Sequence, residues 1–247
     1  MLSYFSNPQR FDALARIAIP VFGFATLVSM GAGVYFAFFA SPPDYQQSET
    51  VRIMYVHVPA AYMASALFAA LAAASFVYFI WRHALADAAA AVIAPIGAVF
   101  TALSLITGSL WGKPMWGTWW EWDARMTSVM VLFLVYLGYM ALRTALEDQQ
   151  QAARAASVLA MAGVINLVIV KFSVEWWSSL HQPAAIFRAD GPTIHSSQLI
   201  PLALMGLAYT CLAGFLVFYR MRTRALQRRA YTLQRQRERS HFETRSK

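Results

Sequence analysis

Ala88–Leu110 reads AAAAVIAPIGAVFTALSLITGSL and runs directly into Trp111–Arg125, WGKPMWGTWWEWDAR. The first stretch carries no charge from end to end. A helix rises ~1.5 Å per residue and the hydrocarbon core is ~30 Å thick, so about 20 apolar residues suffice to cross it. Five more runs share this character: Ile17–Ala40, Pro59–Trp81, Met126–Leu142, Ala155–Val170 and Gln198–Tyr219. The Ala155 run is short unless Lys171 and Phe172 extend it to residue 172, with the ammonium snorkelling to the interface. The last run starts on a polar Gln198 and contains Pro201, which leaves its beginning open. The expected fold is all-α: a polytopic membrane protein with six transmembrane helices in one bundle. Residues 1–220 form that membrane domain and 221–247 a basic tail, polar from Gln227 onward and either helical or disordered.

Composition agrees. Hydrophobic residues make up 59% and charged residues 13%, with mean hydropathy +0.46, whereas a soluble domain carries about a quarter charged residues. The first run is too long for a signal-peptide core and Ala40-Ser-Pro is a poor cleavage site, so it reads as a retained anchor. With both termini inside, fifteen Lys and Arg fall on inner segments, ten of them in the tail from Arg220 to Lys247. Five fall outside: Arg52, Lys113, Arg125, Lys171 and Arg188. This is the positive-inside pattern, and the net charge of +8 expresses topology rather than nucleic-acid binding. The tail can also meet anionic headgroups or a cytoplasmic partner.

Several chemistries are excluded. Cys211 is alone, so there is no disulfide, no CxxC and no CxxCH haem attachment. The spans hold no ionisable residue away from their ends, which argues against ion-coupled transport. Gly108-Ser-Leu-Trp-Gly112-Lys113-Pro114 is one residue short of a phosphate-binding loop and lacks its Ser/Thr; Gly108 and Gly112 as a GxxxG pair read as packing or a turn. No nucleophile and base can be paired.

The unusual chemistry lies in the outer connections 41–58, 111–125 and 172–197. Trp111, Trp116, Trp119, Trp120 and Trp122 fall within fifteen residues, and seven of the eight tryptophans lie on the outer side. An interfacial aromatic belt occupies both interfaces, so this asymmetry points to a platform for a flat ligand, on which indole faces stack. Gly112, Pro114 and Gly117 are expected to break the helix before Trp119. If the chain after Gly117 is helical, Trp116, Trp119 and Trp120 cluster within one turn while Trp122 points elsewhere. Asp123 precedes Ala-Arg-Met-Thr and reads first as an N-cap.

His57 and His181 stand in the outer loops flanking this platform, and His195 competes on the same face. Imidazole is a common axial ligand of haem iron. A zinc site lacks support, since no outer Cys exists and the carboxylates have no ligand spacing. Arg52 and Arg125 are either grips for carboxylates or solvated interface charges.

Together these segments resemble a known family. Trp111–Arg125 is similar to the tryptophan-rich "WWD" signature of haem-handling proteins, and VRIMYVHVPAA (51–61) and SVEWWSSLHQ (173–182) resemble the flanking histidine segments of the cytochrome c maturation protein C (haem exporter protein C) family. The likeness runs from about Ala40 through His181, includes Pro95–Phe100, and fades in both tails. It implies a bacterial inner-membrane protein that binds haem b non-covalently at the periplasmic face. It implies that His57 and His181 ligate the iron and that the loop with Trp111, Trp116, Trp119, Trp120, Trp122 and Asp123 supports the macrocycle. Arg52 and Arg125 then become propionate partners, and His195 falls outside the matched segments. The implied role is to present haem for covalent attachment to a membrane-anchored haem chaperone, maturation protein E. The implied neighbours are the ATPase and permease subunits of an ABC transporter and a small single-span maturation protein D. Two rivals stay open: a haem-exporting permease subunit, and a scaffold of the same complex that binds no haem. Whether any side chain assists bond formation is not legible.

Overall fold

The computed structural model describes residues 8–177, 179–181, 186 and 190–245. Six long α-helices follow one another, with no strand among the described residues: α1 Pro8–Tyr35, α2 Met54–Trp81, α3 Ala84–Trp116, α4 Ala124–Ala145, α5 Gln149–Trp176 and α6 Ser196–Arg245. A π-helical turn, Phe36–Ala40, prolongs α1, and a 3₁₀ segment, Glu49–Ile53, leads into α2. All six helices are long and apolar enough to cross a membrane.

The caps fix where these helices begin and end. Asp123 and Asp148 accept backbone N–H groups at the starts of α4 and α5, and left-handed Arg82 and Gly117 close α2 and α3. The boundaries depart from expectation at several places. α2 starts at Met54, so His57 sits in its first turn rather than in the preceding loop, and Pro59 lies inside the helix. Gly112 and Pro114 do not break α3, which continues to Trp116; the break is Gly117, at φ 79°. A glycine reaches that left-handed conformation without steric cost, which makes it the natural stop. α5 runs past Lys171 and Phe172 to Trp176, and α6 continues unbroken from Ser196 through Tyr219 into the basic tail.

α2 is the central helix, packed against α3, α5 and α6, while α1 leans mainly on α6 and α4 on α5. The core between them is mainly aliphatic, with buried aromatic rings set into it. The Phe68 and Tyr136 rings meet edge to face at 5.1 Å, and the Tyr136 hydroxyl donates to the Ala64 carbonyl at 2.9 Å. This approach requires Gly97, since a Cβ there would stand 2.2 Å from that hydroxyl. At the end of the bundle opposite His57, Arg143 of α4 pairs with Asp87 of α3. Apolar burial gives little net drive between helices in lipid, so close packing and such polar links hold the bundle.

Candidate functional site

A cavity of about 950 Å³ opens at the other end, where the starts of α2, α4 and α6 meet the ends of α3 and α5. That size is near the upper end of ordinary small-molecule sites, roughly 300–1,000 Å³. His57 and His181 both line it.

His57 is held from α3. Its Nδ1 lies 3.0 Å from the Ser104 carbonyl and 3.1 Å from the Thr107 hydroxyl. That hydroxyl donates to the Leu103 carbonyl at 2.7 Å, so both neighbours can accept a proton from Nδ1. Gly108 gives the ring its space: a Cβ there would come within 3.0 Å of the imidazole.

His181 is held from the start of α4. Its Nδ1 lies 2.8 Å from Oδ2 of Asp123, and its ring meets Trp116 edge-on at 5.0 Å. Asp123 is itself buried and its oxygens divide the work. Oδ1 accepts the Met126 N–H at 2.7 Å, while Oδ2 also accepts the Ser179 hydroxyl at 2.5 Å. Burial opposes ionisation of this carboxyl, but the bonds from Ser179, Met126 and His181 outweigh it and hold its pKa below the ordinary value. For His181, burial is the larger influence and lowers the pKa against the pull of Asp123. Burial thus works toward the neutral ring and Asp123 toward the charged one. In both histidines Nδ1 is engaged, and Nε2 has no hydrogen-bond partner among the described residues.

The tryptophans divide into two groups. Trp111 lines the cavity, anchored by its Nε1 donating to Gln47 Oε1 at 3.0 Å. Trp116 does not line the cavity itself; it meets Trp111 edge-on at 5.2 Å and backs His181. The segment after Gly117 is not helical, so Trp116, Trp119 and Trp120 do not share a turn. Trp120 instead meets Trp122 edge-on at 5.4 Å. Trp119 and Trp122, 54% and 71% exposed, face outward, and the structure brings none of Trp119, Trp120 and Trp122 to the cavity wall.

The arginines separate as well. Arg125 lines the cavity, with Nε donating to Ser173 at 3.3 Å. Arg52 does not reach it: Nη1 donates to the Ala37 carbonyl at 2.6 Å and Nε to Glu49 at 2.5 Å. It staples the end of α1 to the 3₁₀ segment. Lys171 and His195 line the cavity although sequence reasoning left them aside. Asp44 does too: backbone N–H groups, chiefly that of Gln47, hold its carboxyl below the usual range despite burial. Lys171 had a legible signal, an outer cation at a helix end. Thr107 and Ser104 had none until the face that α3 turns to α2 was known. Arg188 lies outside the described residues.

Among the described residues no three His, Cys, Asp or Glu side chains gather as a metal site.

Comparison with known proteins gives the family. The family model described as heme exporter protein C matches residues 1–236. The chain is similar to proteins named heme exporter protein C: 51% identical to that of Bradyrhizobium diazoefficiens, over 93% of this chain and 87% of the relative. It is 46% identical to that of Haemophilus influenzae, over 87% and 85%, and 42% identical to that of Escherichia coli, over 87% and 86%. A six-helix chain with two imidazoles on one cavity, matched along nearly its whole length, belongs to the heme exporter protein C family.

Proposed function

We propose that this protein binds haem b non-covalently in the histidine-lined cavity, at the periplasmic face of the bacterial inner membrane. It presents the haem for covalent attachment to a membrane-anchored chaperone, maturation protein E, during c-type cytochrome biogenesis. The observation that carries this reading is the pair His57 and His181, which line the same cavity, each with Nδ1 engaged and Nε2 without a hydrogen-bond partner among the described residues. Fixing one ring nitrogen sets the tautomer and makes the other a metal ligand. Family membership and the bias of Lys and Arg toward the opposite end of the bundle support the periplasmic placement.

When bound, haem supplies an iron for two imidazoles, two propionates for cationic side chains, and vinyl groups for the later bond. The protein's residues do the holding. His57 and His181 would hold the iron, Arg125 and Lys171 would grip the propionates, and Trp111 would wall the site, with Trp116 backing His181. Trp119 and Trp122 remain outside, exposed beside the cavity, where a partner protein can meet them. The neighbours in this reading are the ABC transporter ATPase and permease subunits and the small single-span maturation protein D. It assigns binding and presentation to this chain and no catalytic nucleophile.

The test is the absorption spectrum of the purified chain, wild type against His57→Ala and His181→Ala. A Soret band is expected in the wild type, with altered iron spectra in each variant. No Soret band after haem-replete expression sinks the reading, and unchanged spectra in both variants reject the axial pair.

A further inference from the structure

The end of the bundle away from the histidines holds a second cavity, of about 1100 Å³. It lies between the start of α1, the first turns of α3 and the part of α6 beyond Met221. Arg16, Arg222 and Arg229 line it beside one carboxylate, Asp12, so positive charge is in surplus among these groups. Asp12 gathers two of these guanidiniums. Arg16 donates to its Oδ2 from Nε and Nη2 at 2.9 and 2.8 Å, and Arg222 donates to Oδ1 from Nε at 2.9 Å. A guanidinium has five N–H donors in a rigid fork. Both arginines are thus fixed in place with donors left over, the arrangement that grips a phosphate oxygen pair.

Depth and lining identify the phosphate. Arg16 immediately precedes the apolar run that opens at Ile17, and Arg222 closely follows the run that ends at Tyr219. The cavity is therefore at headgroup height. Apolar Phe11, Leu85 and Met221 complete its wall. Leu14 and Ile17, to either side of Arg16 in sequence, are 56% and 68% exposed, as hydrocarbon-facing side chains are. A soluble phosphate has no use for apolar walls at this level, whereas a lipid uses both. We propose that this cavity is a binding site for the phosphodiester headgroup of an anionic phospholipid, which seats on Arg16 and Arg222 with Arg229 at its rim. Basic pockets between membrane helices bind acidic headgroups on the same principle. The proposal is independent of the haem site at the opposite end.

Native mass spectrometry of the full chain, released from nanodiscs of phosphatidylglycerol or of phosphatidylcholine, tests it. The variants are Arg229→Gln, the double variant Arg16→Gln with Arg222→Gln, and Arg235→Gln as a control outside the cavity. The wild type is expected to retain phosphatidylglycerol in preference to phosphatidylcholine. Retention should weaken about fivefold for each arginine removed, hence about fivefold in Arg229→Gln and about 25-fold in the double variant. Arg235→Gln should behave as the wild type. Equal retention of the two lipids, or cavity variants that match Arg235→Gln, overturns the site. Displacement of the lipid by inorganic phosphate at equal concentration reassigns it to a soluble anion and overturns the lipid. Arg229 is exposed and makes no link to Asp12, so its single variant decides the question if the double variant does not fold.

Discussion

The Asp123 carboxylate links the start of α4 to the imidazole of His181: one oxygen accepts the Met126 N–H at 2.7 Å and the other lies 2.8 Å from His181 Nδ1. A helix cap and a ring-orienting contact thus share one side chain. Its buried position places both inside the protein, where solvent cannot substitute.

Asp123→Asn separates the two tasks. Asparagine caps a helix about as well as aspartate, so Tm should change little. Its neutral amide is a weaker partner for Nδ1–H than a carboxylate, and removing such a support typically lowers ligand affinity about 10- to 100-fold. Asp123→Ala should lose both, with a further ~1 kcal/mol of stability from the missing cap. Haem titration followed at the Soret band, beside thermal melts, checks the pair. Unchanged haem affinity in Asp123→Asn would reduce Asp123 to a cap.

Gly108→Ala addresses the other histidine. The added methyl would approach His57 Cε1 to 3.0 Å, so the ring must turn away from Ser104 and Thr107. Haem binding is expected to fall while the helix itself, gaining an alanine, is not weakened. Gly206→Ala is the control, because nothing lies within 4 Å of the position its Cβ would take. It should leave haem binding unchanged. Similar losses in both variants would detach Gly108 from the site.

Gly97→Ala tests the core rather than the site. Its Cβ would stand 2.2 Å from the Tyr136 hydroxyl and 2.3 and 2.5 Å from two ring carbons. Overpacking of a tight core costs about 1–3 kcal/mol, and Tm in detergent should drop accordingly. Tyr136→Phe in the same chain should not rescue it, because the ring carbons still collide. Full rescue by that change would show that the hydroxyl alone fills the space.

The six spans were legible because each is an uninterrupted apolar run, and lipid leaves a backbone little choice but helix. The outer ends were less so. Pro59 and Pro114 read as boundaries, yet each lies within a helix, as prolines in membrane helices are allowed to. His57 consequently moved from a loop into a buried first turn. The tryptophans were legible as a group but not as an arrangement. Gly117 ends α3 and Asp123 starts α4, and the short segment between them is irregular. Trp111, on α3, lines the cavity and Trp116 stands behind His181, while Trp119 and Trp122 turn outward. Arg52 and Arg125 looked equivalent in sequence; only packing shows that the first is committed to Glu49 and Ala37.

That difference gives the last prediction. Arg125→Ala removes a guanidinium from the cavity wall, and hydrogen bonds to charged groups contribute about 1.5–3 kcal/mol. Haem affinity should fall roughly 10- to 100-fold, with Tm of the haem-free protein nearly unchanged because its hydrogen bond to Ser173 is long at 3.3 Å. Arg52→Ala should show the opposite pattern. It frees the Ala37 carbonyl and Glu49, so Tm falls, while affinity measured well below that Tm stays within a few-fold of wild type. Haem titration and melting of the two variants side by side read the contrast. A loss of affinity in Arg52→Ala as deep as in Arg125→Ala, without a fall in Tm, would place Arg52 on the ligand after all and require the 3₁₀ segment to swing inward when haem binds.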